Sequence, residues 1–255
     1  MSIRNKSRKI KTAKRILFFL IIFITIVVRL GYCIKYPVPI RDSYKYIDFL
    51  ENWNYDTSDK PYPPLALWIL QTPNKFLGID TYKGGVGINC ACAVLIVILI
   101  GKVIELTTKS QRIMFIGMLF ASTHPTLVDL SCHFSRDNIF FLFMILAFYF
   151  LLKKQCTKKG VYLFYAGIST GFCILSRHEG IELIMIYMIW NFFDYFKKKP
   201  KLIIQIIESG VFYFSIFISI ILAIKIINVS TQYYKFVLEK EKNEIISIFQ
   251  QIKAM

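Results

Sequence analysis

The chain has 255 residues, of which 55% are hydrophobic and 16% aromatic, and its mean hydropathy is +0.50. A soluble domain is about 45–50% apolar, so this composition indicates an integral membrane protein and excludes an ordinary soluble enzyme. The formal net charge of +16 comes from basic residues beside apolar stretches, which favours contact with anionic membrane lipid over nucleic-acid binding.

Apolar stretches that could cross a bilayer recur along the chain. A hydrocarbon core about 30 Å thick takes about 20 apolar residues per helix, with a range of about 17–25. We therefore predict an all-α, polytopic membrane protein with about seven transmembrane helices, at residues 16–34, 86–106, 113–130, 138–152, 160–175, 180–196 and 202–227. The fourth to sixth spans are short, and the charged residues that flank them support the interpretation.

The first apolar stretch follows a basic segment, as a secretory signal does. It is longer than the core of about 7–15 apolar residues in a signal peptide, and LGYC at residues 30–33 contains no small-x-small cleavage site. We therefore interpret it as a membrane span. Arg29 within it is expected to extend toward the outer interface.

The basic residues predict the orientation of the chain. Residues 1–15 contain seven Lys or Arg and no acid, and further basic residues follow every second span. The positive-inside rule then places the N-terminus in the cytoplasm of a multi-pass protein of the plasma or inner membrane. Alternating crossings place the following segments on the outer side: 35–85, 131–137, 176–179 and the tail from 228.

The first outer loop, residues 35–85, is more polar than membrane anchoring requires. Its six acids and six bases balance, so topology alone does not explain the charge. We expect short interfacial helices in it, one of them over residues 41–51 and the next beginning at Leu65, after a proline-rich break.

In a helix over residues 41–51, the i, i+3, i+4 spacing would place Asp42, Lys45 and Tyr46 on one face. Ile47 and Leu50 would then turn toward the membrane. This face could be a catalytic surface. Alternatively, the segment is an ordinary amphipathic helix whose charges are solvated.

Two motifs in this loop, RDSYKY at 41–46 and KPYPPL at 60–65, are similar to the first outer loop of GT-C class glycosyltransferases that use polyprenyl-phosphate sugars. The resemblance is to glycosyltransferase family 39, which includes protein O-mannosyltransferases and the lipid A aminoarabinose transferase. It continues with SRD at 135–137 and GISTGFCILSRHEG at 167–180.

The resemblance implies transfer of a sugar from a polyprenyl-phosphate-linked donor to a hydroxyl of a glycan, lipid or protein acceptor on the outer face. It assigns the role of general base to Asp42 and suggests Lys45 and Lys60 as cations for the phosphate. The chemistry needs one carboxylate, because the departing phosphate is stable as an anion and needs no proton, whereas a glycosidase uses two.

Further residues are predicted to bind substrate or phosphate: Tyr46, Arg136, Asp137, Arg177 and Glu179. Alternatively, Ser135 or Asp137 could cap the helix that begins there. Arg177 could bind phosphate or a sugar carboxylate while Glu179 holds it in place. The two could instead form an ion pair that closes a helical hairpin.

We predict no cofactor and no metal. Cys90 and Cys92 form C-x-C in an apolar helix, where i and i+2 side chains point to different faces, so neither metal binding nor redox chemistry is favoured. His124 and His133 are weak evidence for a metal site, because the sequence shows no partner for either.

We assign residues 1–230 to a transmembrane glycosyltransferase module. Residues 231–255 are expected to form an interfacial helix on the outer side, or to begin a truncated continuation. A secondary transporter is the alternative class, but transporters have internal repeats and broken helices, whereas the charges here collect at one interface. An inactive fragment of a GT-C enzyme is a further alternative, because such enzymes usually have more spans.

Overall fold

The structure, a computed structural model, describes residues 3–35, 41–51, 64–198 and 202–227, and its regular elements in these ranges are all helices. They are α1 (Ile3–Lys35), α2 (Arg41–Glu51), α3 (Pro64–Leu77), α4 (Thr81–Thr108), α5 (Gln111–Thr123), α6 (Pro125–Ser131), α7 (Asp137–Thr157), α8 (Val161–Ser176), a short 3-10 helix (His178–Ile181), α9 (Glu182–Lys198) and α10 (Leu202–Ile227). The all-α class is confirmed. Lys60 and the tail 231–255 lie outside the described residues.

Four helices in these ranges are long and apolar enough to cross a membrane, in α1, α4, α7 and α10. α5 and α6 together make a fifth candidate, although they are bent by 57° where they meet. α8 and α9 have 16 and 17 residues, which is short for a span. The predicted apolar stretches are therefore helical, but the count of about seven crossings stays a prediction.

The helices pack side by side in a consistent order. α4 contacts α3, α5 and α7, α7 packs along α8, and α8 packs along α10. α1 covers α5, with Ile21, Val97 and Met118 buried between α1, α4 and α5. The helices therefore form a bundle with two ends. One end carries mainly basic residues, and the other carries the predicted site residues.

Small residues allow α8 and α10 to approach closely. Gly167 and Gly171, one turn apart on α8, face Ser215 and Ser219 of α10. A Cβ atom at Gly167 would overlap the Ser215 side chain and lie 2.5 Å from the backbone oxygen of Phe212. Glycine is therefore required at this position, as in other close contacts between membrane helices.

α3 lies within the predicted outer loop, yet one of its faces is built into the bundle. Leu65, Leu67 and Leu70 are at most 7% exposed, and α3 contacts α4, α8 and α10. The helix begins at Pro64, where the missing N–H of proline costs no hydrogen bond, so the predicted start near Leu65 is confirmed.

α2 packs differently from the prediction. Asp42 and Lys45 are exposed, but Tyr46 and Leu50 are only 8% and 3% exposed and join a core cluster with Leu67 of α3. The expectation that Leu50 faces the membrane is wrong, and of the three residues predicted to share a face, Tyr46 is buried while Asp42 and Lys45 are exposed. Positions 46 and 50 form an i, i+4 stripe, and this stripe faces protein.

Arg29 is also placed differently from the prediction. It is 1% exposed and donates hydrogen bonds to the backbone oxygens of Thr25, at 3.1 Å, and Ser122, at 3.0 Å. It therefore does not extend toward an interface. Ser122 lies in the last turn of α5, where backbone oxygens lack helical partners, so the guanidinium finds an acceptor inside the protein.

Basic residues mark one end of the bundle. Lys109 and Lys158 end α4 and α7 in the left-handed conformation, and Lys154 pairs with Glu208 of α10 at 2.6 Å. At the opposite end, α1, α6 and α8 finish and α4 and α7 begin. The predicted site residues lie at this second end.

Candidate functional site

A short segment between α6 and α7, residues 132–136, lies at the centre of the candidate site. The buried Asn89 of α4 holds it, because its side-chain amide donates to the backbone oxygens of His133, at 2.7 Å, and Ser135, at 2.8 Å. One side chain thereby fixes the path of the chain into α7.

Two contacts attach α2 to this segment. The buried Ser43 donates a hydrogen bond to the backbone oxygen of Phe134 at 3.1 Å. The Arg136 guanidinium lies over the Tyr46 ring, 5.9 Å from its centroid, which is within the range of a cation–π contact. Asp42, next to Ser43, is therefore carried on a helix that is fixed to the segment leading into α7.

Arg177 connects two acids that are far apart in sequence. Its Nε and Nη2 donate to the Glu179 carboxylate, at 3.2 and 2.6 Å, and its Nη1 donates to Asp137 Oδ1. The guanidinium also lies 5.5 Å from the centroid of the Phe140 ring. The ion pair between Arg177 and Glu179, one of the two sequence-based alternatives, is thus present, and it includes Asp137 as well.

Asp137 has a second contact besides Arg177. The Ser135 hydroxyl donates to Asp137 Oδ2 and accepts a hydrogen bond from the Asp137 backbone amide, both at 3.1 Å. Neither Ser135 nor Asp137 is the N-cap of α7, because that position is Arg136, which makes no side-chain capping hydrogen bond. The Ser135 hydroxyl nevertheless satisfies the amide of the first helical residue. Asp137 is 25% exposed and is engaged on both carboxylate oxygens.

The charges of this cluster reinforce each other. The pKa of Glu179 is lowered from its ordinary value of 4.5 to about 2, chiefly by the hydrogen bonds from Arg177, while partial burial acts in the opposite direction. The positive charge of Arg136 contributes to the same lowering of the Glu179 pKa. The pair also raises the pKa of Arg177, so both groups stay charged near neutral pH.

Asp42 has a different environment from Asp137. Its side chain is 63% exposed and its Oδ1 lies 3.3 Å from Nζ of Lys45, which is itself 50% exposed. The carboxylate is therefore open to an incoming molecule and has a cation beside it. Of the two aspartates, Asp42 is the one whose oxygen atoms remain accessible.

The structure brings most of the predicted site residues to one end of the bundle. One cluster contains Tyr46, Arg136, Asp137, Arg177 and Glu179. Asp42 and Lys45 form an ion pair near the start of α2, one residue before and two residues after Ser43. The position of Lys60 is outside the described residues.

The two histidines lie in different surroundings. His133 is buried and its Nε2 is 3.2 Å from Asp129 Oδ1, which also accepts a hydrogen bond from Tyr32 at 2.6 Å. The His124 ring contacts Phe120. His133 therefore has a partner that the sequence did not reveal.

Sequence reasoning missed Asn89 and Ser43, which position the site without belonging to any motif. Asn89 did leave a signal, because it is a lone amide in an apolar helix, and such a group is costly in a membrane unless it has partners. No such signal marks Ser43, because a serine among charged residues is common in a polar loop.

Two clefts of the structure lie away from these residues. A cleft of about 830 Å³ at the basic end is lined by residues that include Lys14, Glu105 and Arg112, and one of about 370 Å³ is lined by residues that include Trp190 and Phe193. Neither is lined by Asp42, Asp137 or Arg177. The charge cluster is instead defined by specific contacts among Asp137, Arg177 and Glu179.

A known protein family matches most of the described chain. The family described as "Dolichyl-phosphate-mannose-protein mannosyltransferase" matches residues 59–227, which is more than half of the chain. The matched range contains Lys60, Arg136, Asp137, Arg177 and Glu179, whereas Asp42, Lys45 and Tyr46 precede it. No match to a curated protein was found.

Proposed function

Because the chain belongs to the dolichyl-phosphate-mannose-protein mannosyltransferase family, we propose that it transfers a sugar from a polyprenyl-phosphate-linked donor to a hydroxyl group of a glycan, lipid or protein acceptor. Family membership and the long apolar helices make the protein a membrane glycosyltransferase. The lipid-phosphate donor, the acceptor hydroxyl and the roles of individual residues are the proposed part.

Asp42 is the proposed general base. The accessibility of its carboxylate, 63% exposed and 3.3 Å from Lys45, is the observation that carries this assignment. Asp42 would take the proton of the acceptor hydroxyl as the hydroxyl oxygen forms a bond to the anomeric carbon. The bond from that carbon to the phosphate oxygen breaks, and the phosphate leaves as an anion without needing a proton.

The neighbouring cations would stabilise the negative charge of the phosphate. Lys45 lies beside Asp42 on α2. Arg136, which precedes α7, lies over the ring of Tyr46, another residue of α2. Lys60 belongs to the KPYPPL motif and is proposed for the same role. Cations placed where negative charge develops lower the barrier more than they tighten binding of the neutral acceptor.

Arg177 and Glu179 are better suited to positioning than to direct binding of phosphate. The guanidinium already binds two carboxylates, so a phosphate would have to displace one of them. We assign Arg177 to holding Asp137 and the start of α7, with Glu179 as its second partner. Asp137 would then shape the site of the donor or acceptor.

The site is proposed to face the outer side of the plasma or inner membrane, with the N-terminus in the cytoplasm. The separation of the bundle into a basic end and a site end supports this orientation, because short basic segments are retained on the cytoplasmic side. The donor and the acceptor would then meet Asp42 on the outer side of the membrane, opposite to the cytoplasmic N-terminus.

One feature would suit a transporter as well. α5 and α6 form a broken helix, bent by 57°, and the buried Arg29 contacts α5 close to this break. The family match is to glycosyltransferases, and the charge cluster lies at the end of the bundle rather than along a path through it. Transfer of a sugar therefore remains the function that these features support best.

The donor class can be tested directly. The full chain would be reconstituted with acceptor membranes and supplied with polyprenyl-phosphate-linked tritiated mannose or glucose, or with the corresponding nucleotide sugars. We expect label to move to the acceptor fraction from a lipid-linked sugar and not from a nucleotide sugar. Transfer from the nucleotide sugar, with none from the lipid-linked forms, would contradict the proposal.

A further inference from the structure

Three cysteines from separate parts of the chain meet at the site end of the bundle. Cys33 is near the end of α1, Cys90 is in α4, and Cys132 follows α6. Their three sulfur atoms all lie within 4.8 Å of one another, and those of Cys33 and Cys90 are 3.9 Å apart. Cys92, the other cysteine of the C-x-C sequence, is not one of the three and packs in the core cluster with Tyr46.

The spacing of these sulfur atoms matches that of thiolates around one metal ion. A zinc–sulfur bond is about 2.3 Å long, so two sulfurs of a tetrahedral or trigonal site lie about 3.8–4.0 Å apart. The 3.9 Å distance between Cys33 and Cys90 falls in this range without any movement of the backbone. The sulfur of Cys132 needs only a small adjustment to join them.

The buried Arg29 supplies the charge that such a site needs. Within the described ranges it is not paired with a carboxylate, and its Nε has no hydrogen-bond partner. Arg29 also adjoins the three cysteines directly, because its backbone oxygen lies 3.3 Å from the sulfur of Cys132. A buried cation requires a compensating charge, and three thiolates with a divalent ion carry one net negative charge, which Arg29 would balance.

Two of the three cysteines, as protonated thiols, donate hydrogen bonds to backbone oxygens. The Cys90 thiol lies 3.4 Å from the backbone oxygen of Ser131, and the sulfur of Cys132 lies 3.3 Å from the backbone oxygen of Arg29. Cys132 is buried, while Cys33 and Cys90 are half-buried, which leaves one side open to a water molecule as a fourth ligand. The thiols of Cys90 and Cys132 lose their protons when a metal ion binds, so their two hydrogen bonds are exchanged for metal–sulfur bonds.

We propose that Cys33, Cys90 and Cys132 together bind a thiophilic divalent ion, Zn²⁺ being the ion that such ligands most commonly hold. On binding, the three thiols release their protons to solvent and form three metal–sulfur bonds, with no oxidation or reduction. The proposal does not rest on the proposed glycosyl transfer, and such a site would overturn our sequence-based expectation that the chain has no metal site.

The ion would link three parts of the fold. It joins α1 to α4 and to the first residue of the segment 132–136, whose backbone oxygens are held by Asn89, the neighbour of Cys90. The metal site would thus stabilise the segment that carries Arg136 and leads to Asp137.

The test uses the full chain, purified in detergent without oxygen and with its affinity tag removed. Bound metal is removed with a chelator, and the protein is titrated with Zn²⁺. The metal content per chain is measured by inductively coupled plasma mass spectrometry. Cd²⁺ serves as a second probe through its thiolate charge-transfer absorption. We expect one ion per chain and a Cd²⁺ absorption band.

Single Cys33→Ser, Cys90→Ser and Cys132→Ser variants should each lose the Cd²⁺ band and bind Zn²⁺ more than about tenfold more weakly. Cys156→Ser, which removes an exposed cysteine at the far end of α7, is the matched control and should bind like the wild type.

Two results would overturn the proposal, and neither depends on the folding of a variant. The first is a wild-type chain that takes up no ion. The second is a disulfide between Cys33 and Cys90, detected by peptide mass spectrometry after membranes are lysed in an alkylating agent. Equal uptake by the wild type and by folded, monodisperse variants that lack the three cysteines would also contradict it.

Discussion

Arg177 binds Asp137 across forty residues of sequence, and this contact joins the segment after α8 to the first residue of α7. The same guanidinium binds both oxygens of Glu179. Asp137 is consequently neutralised by a fixed cation, and it is poorly placed to act as a base. Within the described part of the chain, the exposed Asp42 forms an ion pair only with Lys45 of its own helix.

Replacing Arg177 should destabilise the protein. Arg177→Ala leaves Asp137 and Glu179 without their shared partner in a half-buried site, and we expect a loss of about 1–3 kcal/mol, seen as a lower midpoint of thermal unfolding in detergent. Lys45→Ala is the control, because its exposed ion pair should contribute at most about 1 kcal/mol. Equal shifts for the two variants would show that the cluster does not stabilise the fold.

The Glu179 pair also predicts a dependence of stability on pH. Since folding lowers the pKa of Glu179 from 4.5 to about 2, its contribution is fully present above about pH 4.5 and is lost as the pH falls through about 2. Glu179→Gln removes this contribution. The difference in unfolding midpoint between the wild type and Glu179→Gln should therefore shrink between about pH 5 and about pH 3, and an unchanged difference would contradict the lowered pKa.

Asn89 should matter more for stability than its position in an apolar helix suggests. Asn89→Ala leaves the buried backbone oxygens of His133 and Ser135 without their donor, at an expected cost of about 1–3 kcal/mol. Asn74→Ala removes an exposed amide that also donates to a backbone oxygen, and it should cost less. Thermal unfolding of both variants measures the difference, and a larger loss for Asn74→Ala would count against the role of Asn89.

The helical nature of the fold could be predicted from the sequence because long apolar stretches have few structural solutions in a membrane. The charged motifs likewise pointed to Asp42, Asp137 and Arg177. The sequence could not show that Asp137 and Arg177 meet, since that contact depends on the packing of α7 along α8.

Two errors came from treating each helix as if it had only membrane or water around it. Arg29 was expected to reach an interface, but a neighbouring helix offers a backbone oxygen inside the bundle. Leu50 was expected to face the membrane, but it is buried in one core cluster with Leu67 of α3. Neither partner is visible from local spacing, because each lies on another helix.

The proposed orientation has its own test. Cys132 is buried, so labelling of this native thiol is not informative, and we propose Lys83→Cys as an exposed probe at the site end of α4. In intact cells, an impermeant maleimide should label the new cysteine and spare the native, exposed Cys156 at the basic end. After permeabilisation both should react, and the reverse pattern in intact cells would invert the orientation.

The identity of the base is the central claim, and Asp42→Asn tests it most directly. Transfer from a polyprenyl-phosphate-linked tritiated sugar would be compared for the wild type, Asp42→Asn and Asp48→Asn. Asp48 is an exposed acid six residues further along the same helix. We predict that Asp42→Asn lowers the rate at least about 100-fold at equal membrane levels, because the proton of the acceptor loses its base, while Asp48→Asn keeps most of the activity. An Asp42→Asn variant that transfers sugar at the wild-type rate would contradict the account.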